Sequence, residues 1–169
     1  MLRAVDGMEP TVADSAYVDE AAVVIGDVVI EANANVWPNA TLRGDHGQIV
    51  VGERANVQDN AVLHEDAVME ADTAVGHSGI VHAATVAQGA LVGMNAVVLD
   101  DAHVGQGAVV GAGSVVTEGT EIPPGTLAVG APATVKTDIE GEPGKMTAGH
   151  YTALADTYEA TGERLDDSA

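Results

Sequence analysis

The sequence predicts a mainly β chain: a three-sided parallel β-helix closed by one C-terminal α-helix. Three observations predict it. An aliphatic residue or Met recurs every six residues over most of the span from Val12 to Ile122, and a small residue follows each of them four positions later, with two exceptions. Aromatic residues make up only 2% of the chain, with Phe absent, so the core must be aliphatic. Helices repeat near 3.6 residues and plain strands at 2, so neither accounts for a period of six held so long. Six residues suit one short strand plus a turn, and three such units make a triangular coil of about 18 residues.

The elements follow in order. The first run of large residues is Val12, Val18, Val24, Ile30, Val36 and Leu42. The second is Val51, Val57, Leu63, Met69, Val75 and Val81, and the third runs from Val86 through Val92, Val98, Val104, Val110 and Val116 to Ile122. These side chains fill the prism, and Ala, Thr, Ser or Gly four residues on fits a tight corner; the two exceptions are Val28 and His46. The register breaks twice. A three-residue insertion around Asp45 to Gln48 separates Leu42 from Val51 and is expected to form a loop; a one-residue deletion separates Val81 from Val86. About six coils result, with a partial seventh at Ile122. Beyond it the period fades through the Pro/Gly-rich stretch PPGTLAVGAPATV, and residues 137–145 read as a linker. From about Met146, the spacing of Tyr151, Leu154, Ala155 and Tyr158 gives one apolar helix face, and the acidic end ERLDDSA is expected to fray. The chain thus divides into a repeat domain, 1–136, and a linker, helix and acidic tail, 137–169.

Composition narrows the function. With 169 residues the chain is expected to form one domain with a short appendage. Asp and Glu number 26 against 6 Lys and Arg, a net charge of −20. Such a chain has no basic patch for nucleic acid or an anionic membrane, so neither is an expected partner. Lys occurs only at Lys136 and Lys145, and acidic residues are spread throughout, a pattern that suits a salt-rich cytosol. No Cys is present, which excludes disulfides, thiolate metal sites and a Cys nucleophile. The first residues, MLRAVDGMEP, lack the apolar core of a signal peptide, and no run of about 18 apolar residues exists, so a cytoplasmic location is expected.

Placing polar residues on the coil finds the chemistry. His64 follows Leu63 and His82 follows Val81, one coil apart with no break between them. They take the same slot on successive coils, where strands about 4.8 Å apart let two imidazoles hold one metal ion. Arg43 takes that slot one coil below. His77 belongs to the preceding face. Five residues of extended chain, roughly 16 Å at about 3.3 Å each, separate it from His82 around a corner. Asp59 stacks beneath His77 and Gln58 adjoins Asp59. One face therefore offers Arg43, His64 and His82, the next Gln58, Asp59 and His77, and a neighbouring copy could bring the two together.

The stretch LRGDHGQIVVGERANVQDNAVLH, followed by VGHSGIVH, resembles the γ-class carbonic anhydrases and their relatives in the hexapeptide-repeat superfamily. The resemblance covers roughly residues 10–135 and rests on Arg43, Asp45, Asn56, Gln58, Asp59, His64, His77 and His82. It implies a left-handed helix, a homotrimer, and a divalent ion, Zn2+ with Fe2+ or Co2+ as alternatives, bound by His64 and His82 of one chain and His77 of the next. It implies reversible hydration of CO2 to bicarbonate by a metal-bound hydroxide at the trimer interface. In that scheme Gln58 bonds the metal-bound solvent, Asn56 lines the substrate pocket, and Arg43, Asp45 and Asp59 form interface ion pairs. Tyr151 matches, more loosely, a C-terminal Tyr near the metal. Two departures stand out. His46 replaces a Glu that takes part in proton transfer, and the acidic insertion between the first two metal histidines is missing. This is the short form, whose members are not uniformly active on CO2. One reading makes His46 the proton shuttle. Alternatives remain open: a hexapeptide acyltransferase, a metal-dependent acyl-CoA thioesterase, or a non-catalytic trimeric metal-binding scaffold.

Overall fold

The computed structural model describes residues 1–163 and 165. Most of the expected acidic tail lies outside the described residues. Short parallel strands climb the prism in register: Val18 pairs with Val36, Val36 with Val57, Val57 with Val75, Val75 with Val92 and Val92 with Val110. The partner spacing widens across the insertion and tightens across the deletion, so both breaks are absorbed without losing the stack. Val24, Ile30, Val36, Leu42, Val51, Val57, Leu63, Met69, Val75 and Val81 are all buried in one continuous aliphatic core, with the corner alanines Ala34, Ala40, Ala55, Ala61, Ala90 and Ala96 packed between them. Burial of this aliphatic interior is the main stabilising term, since the coils offer few other apolar contacts.

Many corners need a left-handed residue. Asn33, Asn39, Asn60 and Asn95 take it, as do Gly89, Gly107 and Gly113. Asn tolerates that conformation through local hydrogen bonding and Gly has no Cβ to clash, which is why these types recur between the strands.

The insertion is not a loop. The chain runs as one strand, Thr41–Val51, paired along its length with Val23–Ile30 except for a shift between Gly26 and Val28. Val28 and His46, the two exceptions to the small-residue rule, lie in these two strands. Here the prism edge is turned by continuous backbone, so no small corner residue is needed. Gly26 (φ +77°) and Gly44 make the turn feasible: a Cβ on either would run into the facing backbone carbonyl.

Three elements differ from the sequence reading. Leu2–Arg3 pairs with Val24–Ile25, so the first coil begins before the period does. Thr126–Gly130 and Ala133–Asp138 form an antiparallel hairpin where only a fading repeat was expected. The helix runs Pro143–Thr161 and starts earlier than Met146, with Pro143 in its first turn, where a missing N–H is harmless. Its buried residues are Gly144, Ala148 and Ala155, whereas Tyr158 stays exposed. Small residues win because the helix lies close on the sheet: the Gly144 amide bonds the Gly89 carbonyl at 3.0 Å, and a Cβ on Gly144 would overlap the Ala90 carbonyl.

Candidate metal centre

His64 and His82 end the strands Val62–His64 and Ile80–His82, which pair directly, and Arg43 pairs with His64 below. The two ring centroids are 5.0 Å apart. Glu65 and Ala83, both with positive φ, turn the chain immediately after each histidine, so the imidazoles project at a prism edge. Ligating atoms of His64, His82 and Glu65 lie within 4.8 Å of one another, as do those of Asp45, His46 and His64. His82 bonds Asp100 through Nδ1, which leaves Nε2 free to face an ion; metal-bound histidines commonly use a carboxylate in this way. Sequence reasoning missed Asp100 and Glu65. Asp100 breaks the stacking rule: across the deletion Val81 pairs with Val98, so the slot above His82 falls to Leu99, and Asp100 reaches the ring from one position further along.

Asp45 gathers the polar groups beside His64. Arg43 reaches it at 2.7 Å, His46 at 3.2 Å and His64 Nε2 at 3.4 Å. Partial desolvation pushes its carboxyl up, but hydrogen bonds from Arg43 and His46 and the guanidinium charge outweigh this and hold it at about 2. His46 is largely exposed.

His77 stands on another edge, in the turn after Ala74–Val75, and shares no 4.8 Å ligand group with His64 and His82 among the described residues. Its Nδ1 pairs with Asp59 at 2.9 Å, its Nε2 lies 3.3 Å from the Tyr151 hydroxyl, and its backbone N–H donates to Gln58 Oε1 at 3.1 Å. Within one chain, then, Arg43 sits on Asp45 and Asp59 sits on His77. Burial first, and the Asp59 charge second, push the Tyr151 phenol up, so it stays protonated near neutral pH.

Beneath His77 runs a buried chain of amides. Trp37 Nε1 donates to Asn35 Oδ1 at 2.8 Å, Asn56 Nδ2 donates to the same oxygen at 2.6 Å, and Gln58 Nε2 donates to Asn56 Oδ1 at 3.0 Å. An indole and a backbone N–H can only donate. Trp37 at one end and the His77 amide at the other therefore fix every amide between them, including which Gln58 atom faces His77. Asn56 is fully buried under Gln58. A cavity of about 170 Å³ opens beside Gln58, walled by Leu91, Met94 and Thr147; Asn56 is not in its lining.

Left-handed hexapeptide β-helices are the class that this fold and these repeats define, and the chain belongs to that family. The family model described as bacterial transferase hexapeptide (six repeats) matches residues 83–118. The chain is 40% identical over 143 residues to the carnitine operon protein CaiE of Citrobacter koseri, covering 82% of this chain and 73% of that protein. It is 41% identical over 88 residues to a carbonic anhydrase of Geobacillus kaustophilus, covering 50% of this chain and 48% of that protein. Among solved structures, a Bacillus cereus protein described as an acetyltransferase superposes with a TM-score of 0.90 at 34% identity, over 94% of this chain and 96% of that one. A hexapeptide transferase family protein of Anaplasma phagocytophilum also reaches 0.90, at 38% identity, over 93% and 97%. No described helix is long and apolar enough to cross a membrane.

Proposed function

We propose that the chain is a metal-dependent enzyme for the reversible hydration of CO2 to bicarbonate, with its site completed between copies in a homotrimer. One observation carries the reading: His64 and His82 pair in register at one prism edge, while His77 stands at another. His64 and His82 of one copy and His77 of a neighbour would hold a divalent ion. The residues fit such an ion, because imidazole nitrogens suit Zn2+, Fe2+ or Co2+ and Asp100 already fixes the His82 ring with one nitrogen free. When bound, the ion supplies Lewis acidity that brings the pKa of water towards neutrality. The chain's own residues do the rest. Gln58, its amide fixed from below, orients substrate oxygen at the rim of the adjacent cavity. Leu91 and Met94 give that cavity an apolar wall suited to an uncharged gas. The Arg43–Asp45 pair keeps a carboxylate charge beside His64. The likeness to the Geobacillus carbonic anhydrase supports this reading.

A second reading, acyl transfer from an acyl-CoA, draws support from the full-length likeness to the Bacillus cereus protein. One experiment separates the two. Protein purified anaerobically is analysed for metal and oligomer mass, then assayed for CO2 hydration by stopped flow and for acetyl-CoA turnover and thioester hydrolysis. The first reading expects a trimer with about one ion per chain and CO2 hydration that disappears, together with the metal, in His82→Ala. That variant keeps its far-UV circular dichroism, because His82 lies outside the aliphatic core. Full metal content in His82→Ala refutes the ligand assignment; acetyl-CoA turnover without CO2 hydration favours the second reading.

A further inference from the structure

The chain holds one Trp, three Tyr and no Phe, and all four aromatic rings meet in one place. Trp37 lies 5.1 Å from Tyr17, 5.2 Å from Tyr151 and 5.2 Å from Tyr158. Between the first coil and the end of the helix this cluster opens into a cavity of about 370 Å³, lined by Tyr17, Asp19, Glu20, Tyr158, Gly162 and Glu163 together with Val18. Tyr17 and Tyr158 meet at 74°, so their rings form two walls of a corner.

Three features of this corner favour positive charge. Asp19 is held in place by the Tyr17 hydroxyl at 3.0 Å and the Ala21 amide at 2.8 Å. Burial and the Asp19 carboxylate push the Tyr17 phenol up, so the ring stays neutral and the hydroxyl a donor. Glu163 also lines the cavity and adds a second carboxylate. The helix ends here with its negative dipole end, and among the described residues its last turn holds no basic side chain. No basic side chain lines the cavity among the described residues, and the N-terminal ammonium is held by the Glu20 and Ala22 carbonyls instead.

A hydrated metal ion would use the carboxylates and gain nothing from the rings. A weakly hydrated organic cation uses both, because aromatic quadrupoles attract it and its methyl groups bury against the ring carbons. We propose that the Tyr17–Tyr158 corner, closed by Asp19 and Glu163, is a binding site for a small quaternary ammonium compound. The site is independent of the histidine centre and of the activity proposed for it.

Trp37, the single tryptophan, reports on the corner through its contacts with both tyrosines. Choline chloride is titrated against the full-length protein at ionic strength held constant with KCl, and Trp fluorescence is followed. The uncharged carbon isostere 3,3-dimethylbutan-1-ol is titrated in parallel. A saturable change with choline and none with the alcohol is expected. Asp19→Asn, which keeps an acceptor for the Ala21 amide, and Glu163→Gln should each weaken choline binding roughly three- to tenfold. Tyr158→Phe, which keeps the ring, should bind as the parent does. A linear or absent response to choline overturns the proposal. So does equal binding of the alcohol, or unchanged affinity in both carboxylate variants.

Discussion

Asn56→Asp tests the buried amide chain, since it changes one NH2 group to an oxygen and almost nothing in shape. In the parent, Asn56 Nδ2 donates to Asn35 Oδ1 at 2.6 Å, with both residues fully buried. An aspartate there sets two acceptors against each other. Asn35 cannot flip to relieve this, because its NH2 would then face the Trp37 indole N–H, which now donates at 2.8 Å. The variant carboxyl must stay ionised and unpaired on that side, or take up a proton and donate. Raising a buried carboxyl by about two pKa units, at 1.36 kcal/mol per unit, destabilises the fold by about 3 kcal/mol at pH 8. The sign follows from the raised folded-state value. The penalty is fully present above that value, shrinks as pH falls towards the ordinary carboxyl range, and is about half as large at pH 5. Urea unfolding of parent and variant at pH 8 and pH 5 measures it; the Gln58 contact is kept, because the aspartate retains the oxygen that accepts from Gln58 Nε2. A variant as stable as the parent at pH 8, or a deficit independent of pH, would refute the claim that the amides are fixed from their two ends.

Three further outcomes are expected. Asp45 is held down to about 2, chiefly by Arg43 and His46 against partial desolvation, so its contribution to stability is present above the ordinary carboxyl range and lost as pH falls from about 4 towards about 2; Arg43→Ala should flatten that part of an acid-unfolding curve, and an unchanged curve counts against the pairing. Gly144→Ala should lift the first turn of the helix from Ala90 and lower stability by about 1–3 kcal/mol, read as a fall in thermal midpoint; an equal midpoint means the close approach is not required. With a net charge of −20 per chain, repulsion between copies is poorly screened in dilute buffer, where the Debye length is about 30 Å at 0.01 M against about 3 Å at 1 M; oligomer mass, activity and thermal midpoint should rise together across a KCl series, and a flat response with an intact, active trimer in dilute buffer removes the argument for salt adaptation.

The site was legible wherever it obeyed the stacking rule. His64 over Arg43 and His82 over His64 follow from counting residues, but Asp100 does not, because the deletion shifts the next coil by one residue and Val81 pairs with Val98. Elsewhere counting fails. Tyr151 reaches His77 across 74 residues of sequence, and Thr152 approaches Asn35 across 117; no period connects a helix to the sheet it covers. The helix face was legible only in its second half: Tyr151, Ala155 and Tyr158 do turn to the prism, but the stripe continues back through Gly144 and Ala148, which the close seat on the sheet selects for how little space they take.

The sequence by itself determined the prism, its aliphatic interior and the edge on which each histidine stands. A six-residue period fixes which side chains point inward, and stacking makes every coil repeat the one below, so the information is local and redundant. Only the tertiary structure decided the corner at Gly26 and Gly44, the direction of the amide chain from Trp37 to His77, and the gathering of four scattered aromatic rings under one helix. Each depends on how closely two backbones approach or on which of two polar atoms faces a donor. A pattern of hydrophobicity records neither.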